Sequence, residues 1–353
     1  MKIRLAILEN DASYLKKIVT AFTIKYAENL EIYSFTSLEA AMQNLGISKI
    51  DVLLASENFE VDTKALPARC SFAYFVESMG IESFRDKPAI CKFQKAELIY
   101  KQILSIYSEK ATDITGVGIN DGSTRIVSFV SASGGVGTTT LAVACAQALV
   151  NQGKKVLYIN LEQFGDAGLY FSGEGKYTFS DVIFALRSQK SNLTIKLEST
   201  VRQDQAGVYY YACPEIALDM LDLRVDDVKR LLTELRISGG YDFVITDSFF
   251  RMDEMSLTIW KEVDSVVLVT DGETNGIRKL ERMSRAFQER EKGDEALRFD
   301  KAMLLYNKYS NKTSKKVEGL EISELGGIQK YEGALARQIA VQIANMTIFN
   351  KLC

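Results

Sequence analysis

The chain has 353 residues, of which 47% are hydrophobic and 25% are charged, and its formal net charge at pH 7 is −3. This length exceeds what one ordinary hydrophobic core needs and predicts two domains. The mixed charges form no basic stripe, so we expect no nucleic-acid partner. The sequence contains no histidine, which excludes a Ser-His-Asp triad, a histidine metal site and a phosphohistidine relay within the chain.

Hydrophobicity and cysteine spacing predict the cellular compartment of the protein. No window approaches 18 consecutive apolar residues, so we expect no direct membrane insertion. The first residues enter a strand-like stretch without a signal-peptide pattern. The five cysteines are scattered and lack metal-site or CxxC spacing, which indicates reduced thiols. Together these features predict a cytoplasmic protein.

Residues 1–107 alternate between strand and helix patterns and form the first predicted domain. Apolar runs predict five strands, at Ile3–Leu8, Leu30–Phe35, Val52–Ala55, Phe72–Val76 and Ala89–Cys91. Helical spacing predicts three helices, at Tyr14–Tyr26, from the capping box Thr36-Ser37-Leu38-Glu39 to about Leu45, and at Ala96–Tyr107. This alternation predicts an α/β domain with a parallel sheet covered on both faces.

A polar stretch with three glycines, residues 108–124, is the predicted linker, and residues 125–353 form the second domain. Its predicted strands are Arg125–Ser131, Val156–Asn160, Val208–Ala212, Phe243–Asp247, Ser265–Thr270 and Ala302–Tyr306. Its predicted helices are one that follows the first strand and runs through Asn151, then Ser180–Ser188, Arg224–Ser238, Ile277–Glu291 and Ala334–Asn345. The pattern predicts a second, mostly parallel sheet.

A glycine-rich turn between a buried strand and a helix is the central motif. Residues 131–140 read S-A-S-G-G-V-G-T-T-T. Glycines let the backbone approach phosphate oxygens, successive N–H groups form an anion nest, and the helix N-terminus adds partial positive charge. The predicted nucleotide-binding residues are Gly134, Gly135, Val136, Gly137, Thr138, Thr139 and Thr140. The Thr139 hydroxyl is the predicted Mg²⁺ ligand of the loop.

This turn resembles the deviant Walker A motif of the MinD/ParA family, S-x-K-G-G-V-G-K-T-T. The resemblance implies a P-loop NTPase fold that binds ATP and Mg²⁺. It extends to three later strands. The strand ending at Asp247 resembles the family's Walker B strand, which implies a second Mg²⁺ ligand. Glu162 comes at the end of the strand that follows the domain's first helix, where the family has a carboxylate that positions water. Asn307 stands where the family reads the adenine edge.

Both lysines of the family's motif are replaced, by Ser133 and Thr138. A catalytic cation of this kind contributes about 10³- to 10⁵-fold to the rate of phosphoryl transfer. We therefore expect ATP binding with slow or absent hydrolysis, and Glu162 is the only predicted catalytic residue. Arg251 and Lys279 are cations that could replace the lysines if the fold brings them close.

The first domain resembles a response-regulator receiver, which has a flavodoxin-like fold. Glu9-Asn10-Asp11 matches the acidic pair after the first strand, and Lys92 lies near the receiver lysine. The phosphoacceptor position falls on Ser56, which cannot form an aspartyl phosphate. The resemblance therefore implies a receiver that has lost phosphoryl acceptance and serves protein–protein contact.

An atypical receiver followed by a degenerate MinD-like ATPase is the layout of the TadZ/CpaE proteins, which serve assembly of Flp (Tad, type IVb) pili. Resemblance to this group covers the whole chain. It implies a homodimer that recruits pilus-assembly proteins through the receiver-like domain. It also implies a place at the inner face of the membrane or the cell pole, reached through partners.

Two other functions remain open on sequence alone. One is a cycling ATPase that positions division proteins, plasmids or other machinery. The other, a transcription regulator, is disfavoured because the chain shows no basic patch. A lipid anchor is also disfavoured, since the last twenty residues carry only two cations, and the stripe of Ile339, Ile343 and Met346 is typical of a core-facing helix.

Overall fold

The structure, a computed structural model, describes residues 2–110, 124–188 and 192–352 and divides the chain into two compact units. The first unit contains residues 2–110, Ser188 and residues 192–200, and the second contains residues 124–187 and 201–352. Most of the predicted linker, residues 111–123, lies outside the described residues.

Strands and helices alternate through most of the chain. The strands are β1 Ile3–Leu8, β2 Leu30–Phe35, β3 Val52–Ser56, β4 Ser71–Val76, β5 Ser83–Phe84, β6 Lys87–Cys91, β7 Arg125–Val130, β8 Val156–Asn160, β9 Arg202–Gln203, β10 Tyr209–Tyr210, β11 Phe243–Asp247, β12 Ser265–Thr270, β13 Ala302–Tyr309 and β14 Ser323–Gln329. The α-helices are α1 Ala12–Lys25, α2 Leu38–Ile47, α3 Ala96–Ser108, α4 Thr138–Asn151, α5 Phe179–Ser188, α6 Leu193–Thr200, α7 Val225–Ser238, α8 Glu254–Glu262, α9 Thr274–Glu291 and α10 Ala336–Ala344.

The first unit is built on a sheet with the strand order β2-β1-β3-β4-β6-β5. The five predicted strands are all present and pair in parallel, and the short β5 adds an antiparallel edge. Strands β3 and β4 are buried along their whole length because helices cover both faces of the sheet.

The predicted capping box before α2 is wrong. The helix begins after Ser37, whose side chain makes no capping hydrogen bond. A side-chain cap occurs instead at α1, where Asp11 Oδ1 accepts hydrogen bonds from the backbone N–H groups of Ser13 and Tyr14. The carboxylate that resembled part of a receiver's acidic pair therefore serves as a helix cap in this structure.

Helix α6, which the sequence did not predict, packs against α3 within the first unit. The ammonium of Lys196 donates a hydrogen bond of 2.9 Å to Ser105 Oγ, and the Tyr100 hydroxyl lies 3.4 Å from Glu198 Oε1. The Tyr100 ring also stacks on Tyr26, with ring centroids 3.9 Å apart. Helix α3 is thus enclosed by aromatic, apolar and polar contacts within the unit.

The second unit is built on a sheet with the strand order β14-β13-β12-β7-β11-β8-β10-β9. All its neighbouring strands pair in parallel except β10 and β9. The chain passes from β7 to the β11 and β8 side first, and later to β12 on the other side. Strand β7 therefore lies where the strand order reverses, which is where open parallel sheets bind ligands.

Helix α10 packs on α4 and closes one face of this sheet. The predicted core stripe is only partly confirmed: Ile343 is buried and Ile339 is partly buried, whereas Met346 is 40% exposed because it lies beyond the end of α10. Within the described parts of the chain, no helix has the length and apolar character to cross a membrane.

Candidate functional site

The loop between β7 and α4 adopts a conformation that needs its glycines. Gly135 and Gly137 have φ angles of 79° and 87°, in the left-handed region that favours glycine. A Cβ atom on Gly137 would lie 2.5 Å from Asn307 Nδ2, so a larger residue there would force the Asn307 side chain to move. Gly137 is followed directly by the first turn of α4, whose free N–H groups attract anions.

Hydrogen bonds of Ser131 hold the first half of this loop. Its Oγ accepts from Ser133 N at 3.0 Å and lies 2.8 Å and 2.9 Å from the carbonyl oxygens of Ser133 and Val269. The Ser133 hydroxyl is buried and has no hydrogen-bond partner among the described residues. At the signature-lysine position, the chain therefore places a small enclosed hydroxyl instead of an extended cation.

Asp247 ends β11 beside this loop and is fully buried. Tyr158 donates a hydrogen bond of 2.9 Å to its Oδ2, while Oδ1 has no partner in the described parts of the chain. Burial raises the pKa of Asp247 to about 7, and the negative charge of Glu162 adds to the rise, whereas the Thr139 and Tyr158 hydroxyls oppose it. A buried carboxylate with an unpaired oxygen close to a threonine hydroxyl fits the oxygen ligands that Mg²⁺ prefers.

Glu162 and Asn160 lie at the end of β8, next to β11. Asn160 Oδ1 accepts a hydrogen bond of 2.8 Å from Glu162 N, and its amide nitrogen lies 3.4 Å from the Tyr158 hydroxyl. Burial raises the pKa of the half-buried Glu162. The structure brings Glu162 close enough to Asp247 to affect its pKa, and the predicted role of Glu162 in positioning water stays a prediction.

Asn307 packs beneath the glycine loop. It is 5% exposed, and its Nδ2 donates a hydrogen bond of 2.7 Å to the Val136 carbonyl. Its predicted contact with adenine stays a prediction, and the contact that the structure adds is a brace on the loop. Thr140, another predicted binding residue, lies 2.8 Å from the Tyr170 hydroxyl through its Oγ1.

Sequence reasoning missed one cation at this site. Lys308 Nζ lies 2.7 Å from the Gly135 carbonyl oxygen, inside the glycine loop. The two cations suggested by the sequence are placed differently: Arg251 is exposed with its guanidinium over the Phe249 ring, and Lys279 is exposed on α9. Neither bonds to the loop within the described residues. The position of Lys308 directly after the predicted binding residue Asn307 was the sequence feature that could have identified this cation.

The receiver-like positions of the first unit form a separate polar cluster. Glu9 and Ser56 are fully buried, and the Ser56 hydroxyl has no partner among the residues described. The buried Lys92 ammonium lies 3.5 Å from Glu9 and 2.8 Å from Glu77. The lysine of the cluster is therefore already paired with two carboxylates.

Both parts of the chain match known protein families. The family model described as "TadZ-like, receiver domain" matches residues 1–108, and the model described as "AAA domain" matches residues 124–297. The chain is 24% identical over 206 residues to the septum site-determining protein MinD of Buchnera aphidicola, which covers 57% of this chain and 73% of that protein.

Among solved structures, the fold is similar to that of a ParA family ATPase from Chlorobium tepidum. The TM-score is 0.52 at 23% identity, and the match covers 65% of this chain and 96% of that one. The expected α/β fold, a receiver domain before a ParA/MinD-type P-loop domain, is therefore confirmed. A TadZ-like receiver joined to a MinD/ParA-like ATPase domain gives this chain the architecture of the TadZ/CpaE proteins.

Proposed function

We propose that the second unit binds ATP with Mg²⁺, hydrolyses it slowly or not at all, and acts as a nucleotide-held scaffold. The observation that carries this proposal is that the carboxylate expected to hold Mg²⁺ is retained, whereas the phosphate loop has lost its two lysines. Asp247 is buried, and one of its oxygens has no partner among the described residues, whereas Ser133 and Thr138 occupy the two lysine positions. Binding groups are thus retained where rate-enhancing groups are missing.

Each retained group has a distinct task in this proposal. The loop from Gly134 to Thr140 and the N-terminus of α4 bind the phosphate chain through backbone N–H groups. The Thr139 hydroxyl and the Asp247 carboxylate would hold Mg²⁺, which would supply positive charge next to the phosphate oxygens. Glu162 positions water, but the glycine motif itself has no lysine at the two positions from which the family stabilises the charge of the transition state.

A homodimer is part of the proposal, and exposed apolar side chains support it. Phe164 and Leu169 follow β8 and are 82% and 67% exposed, and Phe249 follows β11 and is 49% exposed. These residues follow the strand ends at the edge of the sheet that carries the glycine loop. Exposed apolar side chains of this size are typical of surfaces that bind another protein.

The cellular role that fits this architecture is positioning. MinD, the relative in Buchnera, is named for septum-site determination. By analogy, we propose that this protein marks a site at the inner face of the cell envelope and recruits Flp pilus-assembly proteins through its receiver-like domain. The paired Lys92 and the serine at position 56 suit that domain to protein contact rather than to phosphorylation.

Calorimetric titration with Mg-ATP and a phosphate-release time course on one sample test the nucleotide part. Binding without release, and loss of binding in Asp247→Ala, are expected. Asp226→Ala, the same change at an exposed position in α7, serves as the matched control. Turnover near 1 s⁻¹, an ordinary enzymatic rate, would contradict the proposal.

A cycling ATPase is the second candidate function, and the retention of both Glu162 and Asp247 favours it. In that case a partner protein would supply the missing cation. Phosphate release that rises at least about 10-fold on addition of a pilus-assembly partner would support this candidate over the static scaffold.

A further inference from the structure

Strand β13 is distorted where it passes the glycine loop. Its pairing with β14 shifts register between Tyr306 and Tyr309, and Lys308 has a φ angle of 54°, which is uncommon for a lysine. In a regular strand, neighbouring side chains point to opposite faces of the sheet. Here the distortion lets Asn307 and Lys308 both reach the same loop.

The two neighbours bind consecutive carbonyl groups of that loop. Asn307 Nδ2 donates to the Val136 carbonyl, and Lys308 Nζ donates to the Gly135 carbonyl, each at 2.7 Å. Asn307 is buried, so its amide acts as a fixed brace. Lys308 is exposed and its ammonium has three donors, so it can hold the carbonyl and still bind an anion.

We propose that Lys308 supplies the phosphate-binding cation of this site in place of the lysines replaced by Ser133 and Thr138. The ligand is the triphosphate chain of the nucleotide, so this inference rests on the proposed function. Lys308 belongs to β13 and lies outside the glycine motif. The backbone distortion at Asn307–Lys308 directs its side chain to the loop. A charge that strongly attracts polyphosphate is thereby restored to a loop whose own residues carry no positive charge.

A purely structural brace on Gly135 would act differently from a phosphate-binding cation. The brace would stabilise the loop independently of salt, whereas an exposed charge attracts an anion less strongly as ionic strength rises. A brace could also be replaced by a neutral donor. Salt dependence and the comparison of charged with neutral replacements therefore separate the two roles.

The test is calorimetric titration of the full chain with Mg-ATP and with Mg-tripolyphosphate at 50 mM and 500 mM NaCl. The variants are Lys308→Met, Lys308→Gln and Lys308→Arg. Lys312→Met removes one charge four residues further on, at an exposed position, and is the matched control. Thermal melting checks that each variant is folded.

For Lys308→Met and Lys308→Gln we expect affinity for both ligands to fall about 10- to 100-fold at low salt. The difference in affinity between these two variants and the wild type should become smaller at high salt. Lys308→Arg and Lys312→Met should bind both ligands nearly as tightly as the wild type does. Unchanged affinity in both neutral variants, or a loss that salt does not reduce, would overturn the role of Lys308 alone. Failure of the wild-type protein to bind either ligand would overturn the proposed function itself.

Discussion

Tyr158 and Asp247 are joined by a buried hydrogen bond of 2.9 Å from the tyrosine hydroxyl to Asp247 Oδ2, and neither side chain has measurable exposure. The bond occupies one carboxylate oxygen and leaves Oδ1 without a partner in the described parts of the chain. Tyr158 therefore orients the carboxylate proposed to bind Mg²⁺ while keeping one of its oxygens available.

Tyr158→Phe tests this arrangement. Loss of a hydrogen bond to a charged group should weaken Mg-ATP binding about 10-fold and raise the Mg²⁺ concentration needed for half-maximal binding. Titration of Mg²⁺ at fixed ATP measures the change. Tyr210→Phe is the matched control, since the buried Tyr210 hydroxyl accepts a hydrogen bond from Gly173 N rather than contacting Asp247 or the glycine loop. An equal shift in both variants would contradict a specific role for Tyr158.

Asp247→Asn should stabilise the nucleotide-free protein at neutral pH while abolishing Mg-ATP binding. Burial raises the pKa of Asp247 from 3.8 to about 7 in the folded state. The protonated carboxyl therefore favours folding at pH 4, and this contribution is lost as pH rises towards 7. At pH 8 we expect Asp247→Asn to raise the free energy of unfolding by about 2 to 4 kcal/mol.

Urea denaturation at pH 4 and pH 8, without nucleotide or Mg²⁺, measures the effect of Asp247→Asn. The difference from wild type should be small at pH 4, where the aspartate is protonated in the folded state. A stabilisation of the same size at both pH values would mean that the asparagine acts by some means other than removal of a buried charge.

Thr138→Lys should increase hydrolysis, because it returns a cation to the first residue of α4. We expect phosphate release to rise at least about 10-fold, well below the full effect of an evolved catalytic cation. Thr138→Met is the control of similar length without charge. If Thr138→Lys hydrolyses ATP no faster than Thr138→Met, the replaced lysine does not limit turnover.

Lys92→Met should destabilise the first unit by about 3 kcal/mol. The substitution leaves the fully buried Glu9 without its charge partner, and unpaired buried charges are costly. Urea denaturation of the full chain measures the loss. In the double variant Glu9→Gln, Lys92→Met, much of the stability should return, and simple additivity of the two single changes would rule out coupling between these side chains.

Much of the fold could be predicted from local pattern. Strands β1, β8, β11 and β12 have the bounds that their apolar runs predict, because buried parallel strands read as continuous hydrophobic stretches. Strand β2 also has its predicted bounds, although it lies at the sheet edge and only Leu30 in it is buried. Helix α6 was missed because it is short and its residues bury polar as well as apolar side chains. Strand β14 was missed because it lies at a sheet edge and five of its seven residues are polar or glycine.

The candidate site shows a similar division. The glycine loop and Asp247 could be found because backbone geometry and metal chemistry allow few residue types there. Lys308 could not be assigned to the loop from sequence. Its contact with Gly135 depends on a strand distortion and on the pairing of β13 across the sheet, both of which are tertiary properties.

The membership of α6 in the first unit affects how this protein can be dissected. The chain crosses from the first unit to the second, returns for residues 192–200, and crosses again. A fragment ending at residue 110 would lose the helix that packs on α3, and a fragment beginning at residue 124 would carry Leu193, Ile195 and Leu197 without their buried surroundings. The first unit needs α6 as well as residues 2–110, so a truncation placed only between residues 110 and 124 would separate α6 from the helix on which it packs.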